Sequence, residues 1–316
     1  MIYITKSPMS PASVGGVIKR ACHAGEDLNK SNLLYKRTNL TMNSVNKTLY
    51  IPLYGKASIS KKGIILSDKK AEAIWVQAGF KLKGKSKSKW LAYYMAMRSA
   101  VFDSWLRQLL ETNPDSVVVH IGCGLDSRTE RVGLKSESWY DIDFPQVISE
   151  RKRYYNESDT YHMLGVDVRK LSWVNQLPSG KKAIVVMEGV SMYIERVDLL
   201  SLMKRLTEHF CEVNILMDCY TELAAELSKY KNPINDVGVT QVYGIDSPSV
   251  LTEGTGLMFI REHEMTPDFM IEQLSNSEKF IFKHLYGGRI ANRMYRLYEY
   301  KSCNEIMSAG STEAYD

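Results

Sequence analysis

Val117-Val118-Val119-His120-Ile121-Gly122-Cys123-Gly124-Leu125-Asp126-Ser127-Arg128 is the stretch that decides the fold of this 316-residue chain. Five mostly β-branched residues run into a Gly-x-Gly bend, as a buried parallel strand runs into a ligand-binding loop. Glycine lets the backbone pass close to a ligand where a Cβ would collide. A dinucleotide fingerprint calls for a third glycine three residues after Gly124. Ser127 stands there, which argues against a nicotinamide cofactor.

Trp139-Tyr140-Asp141-Ile142-Asp143 predicts a second strand, and Phe144-Pro145 then opens a helix with proline at its first position. Asp143 lies 19 residues past Gly124, close to the spacing at which an acid grips a ribose diol. Tyr161 to Val166 predicts a third strand ending in Asp167-Val168, and Ala183 to Met187 a fourth ending in Glu188-Gly189. One such acid is an ordinary solvated strand end. Four successive strand ends carrying Gly-x-Gly, Asp, Asp and Glu predict a site, because open α/β sheets bind ligands outside the carboxyl ends of their strands.

In this order and spacing, residues 122–128, Trp-Tyr-Asp-Ile-Asp-Phe-Pro (139–145), Val-Asp-Val-Arg (166–169) and Met-Glu-Gly-Val-Ser-Met-Tyr (187–193) resemble the leucine carboxyl methyltransferase family. That family includes protein C-terminal carboxyl methyltransferases and polyketide O-methyltransferases of the tetracenomycin type. The likeness extends upstream to Leu49-Tyr50-Ile51-Pro52-Leu53-Tyr54-Gly55-Lys56-Ala57, similar to the bacterial branch. Cys123 and Ser127 stand where the family usually has Ala and Thr, small for small. The resemblance implies a class I methyltransferase using S-adenosylmethionine, an α/β, Rossmann-like protein. Its mostly parallel seven-stranded sheet would carry helices on both faces.

At 44% hydrophobic and 24% charged, the composition is that of a soluble globular protein. No apolar run approaches the ~20 residues that span a bilayer, and the first residues lack the apolar segment of a signal peptide. Cys22, Cys123, Cys211, Cys219 and Cys303 show no C-x-x-C spacing, so unpaired thiols, a cytoplasmic location and no metal are expected. The length predicts one domain with additions rather than two equal halves: an N-terminal helical cap over 1–88 and a cofactor-binding core over 89–316.

The net charge of +5 is unevenly spread, with 18 basic and 4 acidic residues in the first hundred. Much of the excess lies in the five lysines of Lys81–Lys89, which read as a solvated loop or as a guide for an acidic or carrier-bound substrate. Neither a nucleic-acid nor a membrane partner is expected. Asp68 should cap a helix that Gly79 ends. Lys89 to Leu110 then carries a helical apolar stripe that includes Arg98. A guanidinium on a buried face must be paired. A local acid such as Asp103 could do this, whereas the family resemblance implies that Arg98 holds the carboxylate of the cofactor's methionine part.

The cofactor's chemistry assigns the rest. Gly122 and Gly124 allow close backbone approach, and Asp143 is expected to accept from the ribose, with Asp141 its competitor. Asp167 and Val168 should face the adenine. Glu188 and Gly189 should lie by the methionine part, with Lys56 either closing over its carboxylate or lying on the surface. Asp126 is expected to stabilise the turn. A carboxylate acceptor needs no base, whereas a hydroxyl acceptor does. Tyr193 and His263 are the candidates for a pocket or catalytic role, with His209 and His284 behind them.

Val197 to Phe210 predicts a helix, Asn214 to Asp218 a fifth strand, and Glu222 to Tyr230 another helix. The glycine-rich insertion 232–266 is expected to form a lid over the acceptor. Phe280 to Tyr286 and Met294 to Lys301 are expected as the last two strands, the latter as an antiparallel edge. The combined expectation is an O-methyltransferase for a carboxyl or hydroxyl group of a small, polyketide-like metabolite. Its rivals are a protein C-terminal carboxyl methyltransferase, an NAD-dependent oxidoreductase and a silent nucleotide-binding protein.

Overall fold

Every residue of Val117–Ile121 (β1) is buried, as a strand with parallel neighbours on both sides and helices on both faces must be. The structure, a computed structural model, describes residues 49–79, 81–82, 84–228, 242–287 and 293–303, all within one unit spanning Asn43–Asp316. Helices α1 (Tyr50–Lys62), α2 (Lys69–Ala78) and α3 (Lys89–Thr112) precede β1. After it come α4 (Arg128–Val132), β2 (Ser138–Asp143), α5 (Pro145–Arg151), β3 (Tyr161–Gly165) and β4 (Lys182–Met187). The chain continues through α6 (Arg196–His209), β5 (Glu212–Tyr220), α7 (Glu222–Ser228), β6 (Met258–Glu262), α8 (Asn276–Leu285) and β7 (Tyr295–Cys303).

The strands form one sheet in the order β3-β2-β1-β4-β5-β7-β6, parallel from β3 to β5 and antiparallel at β7 and β6. Strand alternation divides the core. Val118, Ile184, Val186 and Leu216 face Phe102, Trp105 and Leu106 of α3. Val119, Val185, Ile215 and Met217 face Trp173, Leu199, Met203 and Leu206 on the other side. Helix α2 begins and ends as its sequence predicts: Asp68 accepts from the Ala71 N–H at 2.8 Å, and Gly79 adopts a left-handed φ of 62°.

Two expectations for the C-terminal part are corrected. Residues 276–285 form a helix, not a strand. Phe282 is fully buried, while Lys279 and Lys283, four residues apart, share Glu272 on the outer face. The hairpin partner of β7 is instead Met258–Glu262, from within the expected lid. Leu257 belongs to the core, and Met258 and Phe259 lie on the outermost strand. β7 is therefore interior to the sheet and β6 is its edge. Residues 232–241 of the expected lid, 1–48 of the expected cap and 304–316 of the tail lie outside the described residues. Among the described residues no helix is long and apolar enough to cross a membrane.

Candidate functional site

The parallel register sets the carboxyl ends of β3, β2, β1 and β4 side by side. Across that rim stand Asp167, Asp143, the glycine bend and Glu188, and all of them line one cavity of about 850 Å³. Gly122 (φ 71°) turns so that its N–H donates to the Ile142 carbonyl at 2.7 Å. An added Cβ there would lie 2.0 Å from Val190 Cγ2, so the bend has no room for a side chain. The Gly124 N–H donates to Asp143 Oδ2 at 2.8 Å and the Phe144 N–H to Oδ1 at 2.7 Å. Burial pushes the Asp143 carboxyl up to about 6 despite these bonds.

Asp141 is a different kind of acid. It is fully buried and lies outside the cavity lining, accepting from Trp139 Nε1 (2.9 Å), Tyr161 and Arg151. Burial alone would raise its pKa, but the Arg151 guanidinium holds it down to about 2. His120 joins this group to the next. Its Nε2 accepts from Arg128 Nη1 at 3.2 Å, so Nδ1 carries the proton and donates to Asp141 Oδ1 at 3.1 Å. Burial lowers the His120 pKa and keeps the ring neutral.

Arg98 lines the cavity, but its partner is not Asp103. Its Nε donates to Glu188 at 3.0 Å and Nη1 to Asp218 at 2.7 Å, while Asp103 binds Arg128 and Arg131. Neither of these Arg98 bonds uses Nη2, which faces Gly189: a Cβ at that position (φ 72°) would sit 3.3 Å from it. Glu188 also accepts from Ser99 at 2.8 Å and from Arg128. Burial opposes its charge, yet Arg98 and Arg128 hold Glu188 down to about 2. Lys56 is not a surface lysine. It is 2% exposed, lines the cavity and pairs with Asp126 at 2.8 Å. Asp126 in turn binds Arg131, which ties α1 to the turn after the glycines.

Asp167 accepts from the Arg169 side chain (2.6 and 2.8 Å) and backbone (3.1 Å), and the Arg169 side-chain bonds lower its pKa. Val168 lines the cavity, and its carbonyl accepts from Trp173 Nε1 at 3.1 Å. Tyr193, on the turn Ser191–Tyr193, also lines it. His263 does not: its ring pairs with Glu299 at 2.6 Å beside β7. His209 bonds the Leu177 carbonyl and His284 the Phe280 carbonyl, both away from the cavity.

Sequence reasoning missed Asp218, Tyr220 and Tyr295. Asp218 interrupts an apolar strand, a signal that could have found it. Tyr220 and Tyr295 meet only because β5 and β7 pair them directly, which no local pattern shows.

A cavity acid whose charge is disfavoured, two close backbone bends and an apolar wall that includes Phe144, Val168 and Trp173 together fit an adenosyl group. Asp143 has lone pairs left for hydroxyl donors after its two backbone bonds. The Glu188 and Asp126 carboxylates both line the cavity and leave it with negative as well as positive groups. Ser127, where a nicotinamide-binding loop would have glycine, is buried and donates to Asp68.

The strand order is that of the class I methyltransferase fold, and the cofactor is S-adenosylmethionine. The leucine carboxyl methyltransferase family model matches residues 44–207, and the chain belongs to that family. It is 30% identical over 207 residues to the tetracenomycin polyketide synthesis O-methyltransferase TcmP of Streptomyces glaucescens, covering 64% of this chain and 77% of that protein. It is 24% identical over 244 residues to the S-adenosyl-L-methionine-dependent methyltransferase dpfgK of Gibberella zeae, covering 70% and 82%. The magnesium protoporphyrin IX methyltransferase of Synechocystis PCC 6803, solved with bound SAH, aligns at a TM-score of 0.44 and 11% identity, covering 74% of this chain and 93% of that one.

Proposed function

We propose that this methyltransferase esterifies the carboxylate of a small aromatic, polyketide-like acid. The carrying observation is that, among the described residues, each histidine is engaged elsewhere or lies outside the cavity. His120 has both ring nitrogens occupied, His162 stacks on Tyr140, and His209, His263 and His284 lie outside the cavity lining. An acceptor hydroxyl needs a base, most often a histidine, to take its proton, whereas a carboxylate is already ionised. When bound, S-adenosylmethionine supplies an electrophilic methyl group. The chain's residues orient the reactants, and positioning alone can contribute much of the acceleration.

Asp143 accepts from the ribose, Asp167 and Val168 face the adenine, and Gly122 and Gly124 allow close approach. Lys56 and Arg98 Nη2 take the carboxylate of the methionine part, beside Glu188 and Gly189. Helices α1 and α2 act as part of a cap, since Ile51, Pro52, Leu53 and Lys56 of α1 border the cavity. The acceptor occupies the side walled by Leu91, Met95, Tyr193, Tyr220 and Tyr295. The TcmP likeness supports a polyketide-like acceptor.

The test is incubation with radiolabelled S-adenosylmethionine and benzoic, 2-naphthoic and 2-anthracenecarboxylic acids, the matching phenols, and a peptide ending in leucine. Label released from an aromatic acid by mild base is the expected result, since esters hydrolyse and ethers do not. Base-stable label on a phenol, or label on the peptide alone, would contradict it.

A further inference from the structure

Asp218 places a charge inside the apolar run Ile215-Leu216-Met217-Asp218-Cys219 of β5. The pairing of β5 with β4 ends at Met187 and Met217, so Asp218 sits one residue beyond it, beside the turn that begins at Glu188. It is fully buried and lies outside the cavity lining. Its two carboxylate oxygens serve different elements. Oδ1 accepts from the Gly189 N–H at 2.6 Å and Oδ2 from Arg98 Nη1 at 2.7 Å, while the Asp218 carbonyl accepts from the Ser191 hydroxyl. One residue thus ties α3 to the turn after β4, and both Arg98 and Gly189 line the cavity. Burial raises the Asp218 pKa, and the charge of Arg98 opposes that rise. A buried ion pair is weak support for stability, since apolar residues of similar volume often serve as well. What apolar residues cannot do is fix the plane of a guanidinium. Here Glu188 holds Nε and Asp218 holds Nη1, which leaves Nη2 against Gly189.

We propose that Asp218 is a positioning residue for the carboxylate of the cofactor's methionine part: without touching the cofactor, it fixes Arg98 and the Gly189 turn so that Arg98 Nη2 is presented to that carboxylate. This rests on the reading above that Arg98 Nη2 takes the carboxylate. A guanidinium oriented in advance loses less freedom when the ligand binds. Asparagine is the discriminating replacement. Its single carbonyl oxygen can accept from Arg98 or from the Gly189 N–H but not from both, so one of the two ties is lost at nearly constant volume.

The test measures, by calorimetry on the full-length protein, the affinities of wild type, Asp218→Asn and Arg98→Lys for two ligands. S-Adenosylhomocysteine carries the amino-acid part, and 5′-methylthioadenosine keeps the adenosyl group and sulfur but lacks it. Asp218→Asn should weaken S-adenosylhomocysteine about tenfold, as expected for one charged hydrogen bond, and leave 5′-methylthioadenosine within about twofold. Arg98→Lys should lower the same preference. An equal loss for both ligands, the mark of a merely structural role, or no loss for either, would overturn the role of Asp218 while the Arg98 result still stands. An Arg98→Lys variant that keeps the full preference would overturn the carboxylate seat, and this inference with it. Should either variant not fold, a wild-type crystal structure with S-adenosylhomocysteine decides. Arg98 bound to the ligand carboxylate with Nη1 still on Asp218 supports the proposal, and Arg98 bound to the ligand but released from Asp218 overturns it. An Arg98 that does not touch the ligand carboxylate overturns the seat itself.

Discussion

Asp143 is the residue on which cofactor binding should turn. Its carboxyl is raised to about 6 by burial, so an apo protein at neutral pH holds a charge that its surroundings disfavour. The sign of the pH effect follows. Folding favours the protonated form, so its stabilising contribution is present at low pH and is lost as pH rises through about 6. Hydroxyl donors on a ligand favour the ionised form instead. S-Adenosylhomocysteine affinity should therefore be level above pH 7 and fall as pH drops through about 6, by at most about tenfold per pH unit. Calorimetry between about pH 5 and 8 measures this. Asp143→Asn should weaken binding about tenfold, the loss of one charged hydrogen-bond partner, and flatten the profile. An unchanged affinity and profile would remove Asp143 from the ribose site.

Within elements, β1 and β2 are held by more than backbone pairing. Asp141 and Arg151 form a fully buried ion pair, with His120 and Trp139 as further donors to the acid. Removing one partner leaves the other charge unpaired in the core, so Asp141→Ala should cost about 3–5 kcal/mol. Asp167→Ala, which breaks an ion pair open to solvent, should cost under about 1 kcal/mol. Urea unfolding of both variants tests the contrast, and equal losses would contradict it. β1 and β4 were legible because each is a mostly apolar run bounded by turn residues, and β2, β3 and β5 from apolar and aromatic residues despite the polar ones among them. The Asp141 network was not, since only strand register brings His120 opposite Asp141. Phe280-Ile281-Phe282 misled because a short apolar run suits a buried strand or a helix equally. Met258–Glu262 misled because an exposed edge strand just after Gly254 and Gly256 lacks the alternation of a half-buried one.

For the whole molecule, buried charge joins the helices before β1 to the sheet. Lys56 pairs with Asp126, and Asp126 with Arg131, which also holds Asp68 and Asp103. Arg128 links Asp103 to Glu188, and Arg98 links Glu188 to Asp218. The rim acids were legible as strand endings, because strand order converts sequence spacing into spatial adjacency. The tyrosine wall of the cavity was not: Tyr220 and Tyr295 come together from two antiparallel strands that share no motif. The central claim is that the rim formed by β3, β2, β1 and β4 seats the cofactor. A crystal structure with bound S-adenosylhomocysteine tests it most directly. Ribose hydroxyls within hydrogen-bond distance of Asp143, with the adenine beside Asp167 and Val168, are the expected result. A nucleoside bound elsewhere, or a ribose facing away from Asp143, would contradict it.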